Sequence, residues 1–171
     1  MARQPISRAR RLWRHLVTDR GHVHGAFPPE ELVRVENAIA EGERRHSGQV
    51  CFAIEAALPA ARVWQGVSPR ERALEVFGLL RVWDTEHNDG VLVYVLLADG
   101  AIELVADRAV AARIPQPEWD GICRRIETEF AVGRYREGAI AAIEAVGAQL
   151  ARHFPAQRGE SDELPNQPIL L

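Results

Sequence analysis

Residues 81–107 read RVWDTEHNDGVLVYVLLADGAIELVAD, and the fold is decided within this stretch. Val91–Leu97 is an unbroken apolar run, β-branched or aromatic at four of its seven positions. It is bounded by Asn88-Asp89-Gly90 on one side and Asp99-Gly100 on the other. A run that short between turn signals fits a strand buried on both faces better than a helix. Asp99-Gly100 is the sequence of a two-residue type I′ turn, which needs positive φ at both positions. Ala101–Asp107 is then the returning strand. With Asp99 and Gly100 as the turn, Ala98 faces Ala101, Leu96 faces Glu103, Tyr94 faces Val105 and Leu92 faces Asp107. A slip of one residue would turn Glu103 and Asp107 to the opposite face. This pairing carries Asp107 and Arg108 back beside the polar loop at residues 84–89.

Working outward, Gln49–Ala57 reads as another strand, with Val50, Phe52 and Ile54 on one face and the smaller Cys51 and Ala53 on the other. Ser68-Pro69-Arg70-Glu71 is a capping box with proline at the first helical position, so a helix lies between the two apolar strands. A crossover of that length makes them parallel, and the hairpin partner makes the sheet mixed. Pro28-Pro29-Glu30-Glu31 opens an earlier helix with Leu32, Val35 and Ile39 inward, ending near His46-Ser47-Gly48 with Gly48 as a left-handed cap. Residues 18–27 and 58–67 read as loops. Trp119, Ile122, Cys123, Ile126 and Phe130 form a helical stripe that Gly133 ends. A last helix turns Tyr135, Ala139, Ile143, Val146 and Leu150 inward and stops at Pro155. The expected fold is α/β: a small mixed β-sheet flanked by helices on both faces. Its organisation is a basic amphipathic N-terminal arm at 1–25, a domain at 26–154 and a proline-rich tail at 155–171. The tail's terminal Ile169-Leu170-Leu171 is suited to dock on the domain or a partner.

Composition narrows the class. The 171 residues are 47% hydrophobic and 26% charged, the balance of a soluble globular chain. Net charge is −3, which argues against nucleic acid as a partner, and every basic residue is arginine. Cys51 and Cys123 sit in apolar surroundings and read as buried free thiols of a reducing compartment. No apolar run is long enough to span a membrane and no secretory signal is evident, so the expected location is cytoplasmic. Residues 1–20 carry six arginines and one acid, with Ile6, Ala9, Trp13 and Leu16 at helical spacing. Such an arm suits peripheral contact with an anionic membrane; the alternative is a helix whose Trp13 packs on the domain.

The candidate site is the 84–89 loop. Asp84, Glu86 and Asp89 give three carboxylates, His87 an imidazole and Asn88 an amide, and Asp107 joins from the returning strand, with Glu103 further along it. An oxygen-rich cluster of this kind suits Ca²⁺, Mg²⁺ or Mn²⁺. It is not an EF-hand: Gly90 falls one residue late and Val95 stands where the bidentate glutamate belongs. The competing reading is a solvated loop in which Asp84 caps a turn and Arg81 or Arg108 pairs with the acids. His22, His24, His46 and His153 read as exposed groups or partners of helix ends. There is no HExxH, CxxC, GxSxG or glycine-rich phosphate loop, and no organic cofactor is expected.

The residues also carry a family resemblance. The HSGQV strand, the SPRERA helix, RVWDTEHNDGVLVYVLLAD, the hairpin LLADGAIELVADR, His153–Pro155 and Asp162–Pro165 together resemble the TPM domain, in particular its bacterial subgroup of uncharacterised or predicted membrane proteins. The resemblance covers about residues 15–171 and implies an α/β sandwich. For some members it implies calcium binding in an acidic loop, and for plant members acid phosphatase activity. Carried over by position, the implied cation ligands are Asp84, Glu86, Asn88, Asp89 and Asp107. This chain departs from the family pattern with Asn88-Asp89-Gly90 in place of Asn-Asn-Gly, and with Ala109 where glycine usually follows the ADR phrase. The signal or membrane helix of many members is not visible.

Three functions follow as expectations. The first is a TPM-like binding or assembly module with a protein partner, holding a cation or a partner's basic group at the 84–89 loop. The second is a metal-assisted phosphatase, with Arg81 or Arg108 clamping phosphate and Asp84 or Asp89 as base or nucleophile. Against it, the loop lies at the amino end of strand 91–97, whereas ligands of parallel α/β units favour the carboxyl ends. The third is a membrane-peripheral adaptor acting through residues 1–20.

Overall fold

A computed structural model describes residues 7–156 and 163–171; Ile6 of the N-terminal stripe and Asp162 of the DELP phrase lie outside them. In chain order the elements are α1 (Arg8–Val17), α2 (Arg20–Ala26), α3 (Pro29–Glu43), β1 (Gln49–Glu55), α4 (Ala60–Trp64), α5 (Pro69–Leu79), β2 (Gly90–Leu96), β3 (Ala101–Ala106), α6 (Arg108–Ala111), α7 (Gln116–Ala131), α8 (Tyr135–His153) and β4 (Ile169–Leu170). The sheet order is β3-β2-β1-β4. β1 and β2 are parallel, β2 and β3 antiparallel, and the chain's last residues add β4 parallel to β1. Every residue of β1 and β2 is buried, as the apolar runs require.

Alternation along the strands divides the core into two layers. Val50, Phe52, Ile54, Val91, Val93 and Val95 face the side covered by α3, α7 and α8. Cys51, Ala53, Leu92, Tyr94 and Leu96 face the side covered by α4 and α5, with Leu164 of the tail added there. The mixed sheet with helices on both faces is therefore the one the sequence implies. Both cysteines are buried free thiols, and burial pushes Cys51 up to about 11 and Cys123 up to about 12.

The hairpin differs from the expected one in both register and turn. Leu96 pairs with Ala101 and Tyr94 with Glu103, so the register is offset by two residues from the expected one. The connection is not a type I′ turn. Leu97–Asp99 forms one 3₁₀ turn and only Gly100 is left-handed, at φ 58° and ψ 36°. An offset of two preserves the faces, so Glu103 stays on the side of Tyr94. The cause is long-range. Asp99 is buried and points to α1, where Arg11 grips both its oxygens at 3.0 and 2.8 Å. His15 Nε2 lies 3.2 Å from Asp99 Oδ1, at ion-pair distance although off the line of a good hydrogen bond. His15 Nδ1 accepts the Leu58 N–H at 2.9 Å, which places the ring proton on Nε2. Burial by itself would raise the Asp99 carboxyl; His15 and Arg11 outweigh it and hold it at about 2.

This clamp decides which face of α1 turns inward. His15 and Leu12 pack on the domain, while Ala9, Trp13, Leu16 and Val17 face solvent, so Trp13 is not a packing residue. Three other expectations change. Residues 18–27 contain α2, whose Asp19 caps His22 N–H while the His22 ring accepts from the Asp19 N–H. Residues 58–67 contain α4. Gly48 is not a left-handed cap; a Cβ there would meet Leu150 Cδ2 at 2.9 Å, so close packing against α8 selects it. His46 is not exposed: it is buried with Nδ1 2.9 Å from Gly48 O, and burial pushes its pKa down.

The Asp99 clamp carries a pH signature. A carboxyl lowered from 3.8 to about 2 contributes stability that is complete above the unfolded value and lost as pH falls through the folded one. Unfolding free energy measured by urea should fall between pH 4 and pH 2 by about 2 kcal/mol more in the wild type than in Asp99→Asn.

Candidate functional site

The 84–89 loop is built by how α5 ends. The Arg81 N–H bonds to Gly78 O and the Val82 N–H to Phe77 O, a Schellman closure with left-handed Arg81 (φ 55°) where glycine usually stands. The chain then returns under itself. Thr85 Oγ1 accepts the Asp89 N–H at 3.1 Å, and Asn88 is left-handed at φ 54°. Gly90 passes so close to Val82 that an added Cβ would lie 2.0 Å from the Val82 carbonyl oxygen. Only glycine fits, which explains the glycine of Asn88-Asp89-Gly90 by contact and not by turn type.

This passage joins the amino end of β2 to the end of β3. The Asp107 N–H donates to Gly90 O at 2.8 Å and the Ala109 N–H to Asn88 O at 3.1 Å. Arg108 donates from Nε and Nη2 to Asn88 Oδ1 at 2.8 and 2.5 Å. Asp107 caps α6, accepting the Arg108 N–H on Oδ1 at 2.7 Å. Asp107 and Arg108 thus lie beside the loop as the sequence implies.

The five oxygen donors divide into two groups. Asp84 is exposed and ion-paired to Arg81, which also stacks 5.8 Å from the Trp83 ring. Glu86 is exposed, its N–H held by the Glu163 carboxylate at 2.9 Å, and Asn88 serves Arg108. Asp89 and Asp107, by contrast, are buried, 2% and 9% exposed. Asp89 Oδ1 and Asp107 Oδ2 have no hydrogen-bond partner among the described residues. Burial is the main reason that the Asp89 carboxyl is raised above its usual range; Thr85 and His87 pull the other way. Among the described residues no three His, Cys, Asp or Glu side chains converge as a ready-made metal cage. Arg81 and Arg108, the candidate phosphate clamps, are engaged by Asp84 and Asn88. His87 is exposed and Glu103 lies apart, half-buried near Arg70 and raised to about 7 by burial.

A second polar network, absent from the sequence reading, sits at the carboxyl end of β1. Buried Glu55 accepts from Tyr94 Oη at 2.6 Å, Arg72 Nε at 2.8 Å and Arg72 Nη2 at 3.1 Å. All its oxygens are satisfied, and it ties α5 to the sheet. The residues are more than 15 positions apart and only the strand pairing brings them together, so no local signal marks them.

A family model for the TPM domain matches residues 22–149. The chain belongs to the TPM domain family. Among solved structures it is similar to the BA42 protein of the psychrophilic bacterium Bizionia argentinensis, determined by NMR. The two share 27% identity and a TM-score of 0.72, over 83% of this chain and 93% of that one. A search of curated proteins gave no significant match. The TPM core, by these limits, takes in the sheet strands β1 to β3 and the loop bearing Asp89.

Gly90→Ala tests how the site is held. The new methyl must displace the Val82 backbone, so urea unfolding should register a loss of about 3 kcal/mol. A change within a few tenths would mean that the passage under Val82 is not tight.

Proposed function

We propose that this TPM domain is a binding module whose amino-end junction of β2 and β3 holds a divalent cation through Asp89 and Asp107. One observation carries the reading: two carboxylate oxygens, Asp89 Oδ1 and Asp107 Oδ2, are buried without a partner on adjoining strand ends. A carboxylate oxygen buried without a partner loses its hydration uncompensated, and a hard cation with oxygen ligands is the natural counter-charge. Backbone carbonyls and water would complete the shell of Ca²⁺, Mg²⁺ or Mn²⁺. Asp84 and Glu86, exposed on the rim, add negative potential and offer a surface to a basic segment of a protein partner. The phosphatase reading has less support, because Arg81 and Arg108, the arginines beside the loop, already have partners in Asp84 and Asn88.

Thermal unfolding with each cation checks this. A ligand bound only by the folded state, at about a hundred times its dissociation constant, adds roughly 2.7 kcal/mol, a rise of several degrees. The rise should disappear in Asp89→Asn and in Asp107→Asn, which keeps the cap of α6, and persist in Asp84→Asn. Equal rises in all four proteins would place the cation elsewhere.

Exposure of the outer face of α1 supports a second reading, peripheral contact with an anionic membrane. Trp13 and Leu16 are 66% and 63% exposed, with Arg8 and Arg10 exposed nearby. Tryptophan and leucine beside arginine are the residues of an interfacial helix. Among the described residues no helix is long and apolar enough to cross a membrane, so such contact would be peripheral. Trp13→Ser with Leu16→Ser should weaken co-sedimentation with phosphatidylserine vesicles about tenfold or more. Unchanged sedimentation would remove α1 from membrane contact.

A further inference from the structure

At the opposite end of β2 lies a cavity of about 580 Å³. It opens between α1, α2, the turn after β2 and the first turn of α8, on the side of the strands where open α/β sheets place ligands. Its volume falls in the range of small-molecule pockets. Its charge-bearing lining is Arg14, His22, Arg134, Arg136 and Glu137, with the hydroxyls of Thr18 and Tyr135 beside them. Three guanidiniums and an imidazole therefore face one carboxylate. Arg134 is paired to Glu129 at 2.5 Å, and His22 Nδ1 lies 2.8 Å from Asp19 Oδ1. The guanidiniums of Arg14 and Arg136 form no ion pair or hydrogen bond with any described residue.

The placement of Arg136 runs against the helix dipole. α8 runs for 19 residues, and its N-terminus has no side-chain cap. Arg134, paired to Glu129, is its N-cap residue, and Arg136 lies in its first turn beside Glu137, so two guanidiniums against one first-turn carboxylate sit at the positive end of the helix dipole, where acids are favoured. An anion in the cavity would offset this. It would meet the uncapped N–H groups of the first turn and two free guanidinium forks.

We propose that this cavity binds a small phosphorylated organic molecule, its phosphate held by Arg14, Arg136 and the first turn of α8. The cavity is open to solvent, with His22, Arg134, Arg136 and Glu137 exposed, and has room beyond one oxyanion, which suits a phosphate carried on an organic group. The site is independent of the cation proposed above: β2 separates them by about 20 Å, the length of a seven-residue strand. It does depend on α1, since Arg14 is presented only while the Asp99 clamp holds that helix.

The test is calorimetric titration of the full chain with inorganic phosphate, pyrophosphate and adenosine monophosphate, at constant ionic strength with a chloride control. Wild type should bind the nucleotide more tightly than inorganic phosphate. Arg14→Gln with Arg136→Gln should weaken nucleotide binding about tenfold or more, the loss expected for two charge-assisted contacts. Both side chains are unpaired, so the variant should fold, and its ligand-free Tm should equal or exceed that of wild type because wrong-sign charge leaves the helix end. Asp89→Asn should bind the nucleotide as wild type does, separating this site from the cation site. No saturable binding by any of the three, a response to inorganic phosphate alone, or affinity unchanged in the double variant would each overturn the proposal.

Discussion

The structure depends on one close backbone approach, that of Gly90 beneath the Val82 carbonyl. At that point the loop after α5 is pressed onto the start of β2 and cannot be lifted without opening the sheet. Everything at the amino end follows. Gly90 O accepts from Asp107, Asn88 O accepts from Ala109, and Asp89 is driven inward with its carboxylate. The acid is buried because the backbone has nowhere else to go. A buried carboxylate oxygen with no partner among the described residues is a departure from the rule that buried polar atoms are hydrogen-bonded.

Much of this was legible in the sequence. Apolar runs between turn signals gave the strands, the Ser68–Glu71 box gave α5, and the spacing of Asp107 gave its place beside the loop. What was not legible rests on contacts between distant residues. The hairpin register is set by Asp99 reaching α1, and a dipeptide rule cannot see an arginine 88 positions away. α2 was hidden by its two glycines, because His22 fills the place in the capping box where glutamate or glutamine is the recognisable sign. The apolar stripe of α1 misled because that helix docks through polar groups, Arg11 and His15, and leaves Trp13 outside. Within the candidate site, sequence supplied the cluster of acids but not their division into two buried and two exposed, which burial alone determines.

The two ends of β2 emerge as chemically opposite. The amino end gathers carboxylates, two of them buried. The carboxyl end gathers guanidiniums, that of Arg134 paired to Glu129. Between them the sheet is apolar and closed, tied by Glu55, Tyr94 and Arg72, so the two ends are held at fixed separation by a rigid core. A small domain with this layout is suited to binding, and its family membership agrees with the shape of the core without naming a ligand.

The most direct measurement of the central claim is paramagnetic broadening of the ¹⁵N-labelled protein by Mn²⁺, followed residue by residue. The account predicts that amide signals fade first around Asp89 and Asp107 at substoichiometric Mn²⁺, and that excess Ca²⁺ or Mg²⁺ restores them. Broadening centred on the exposed Asp84 and Glu86, or spread evenly over the acidic surface, would contradict it.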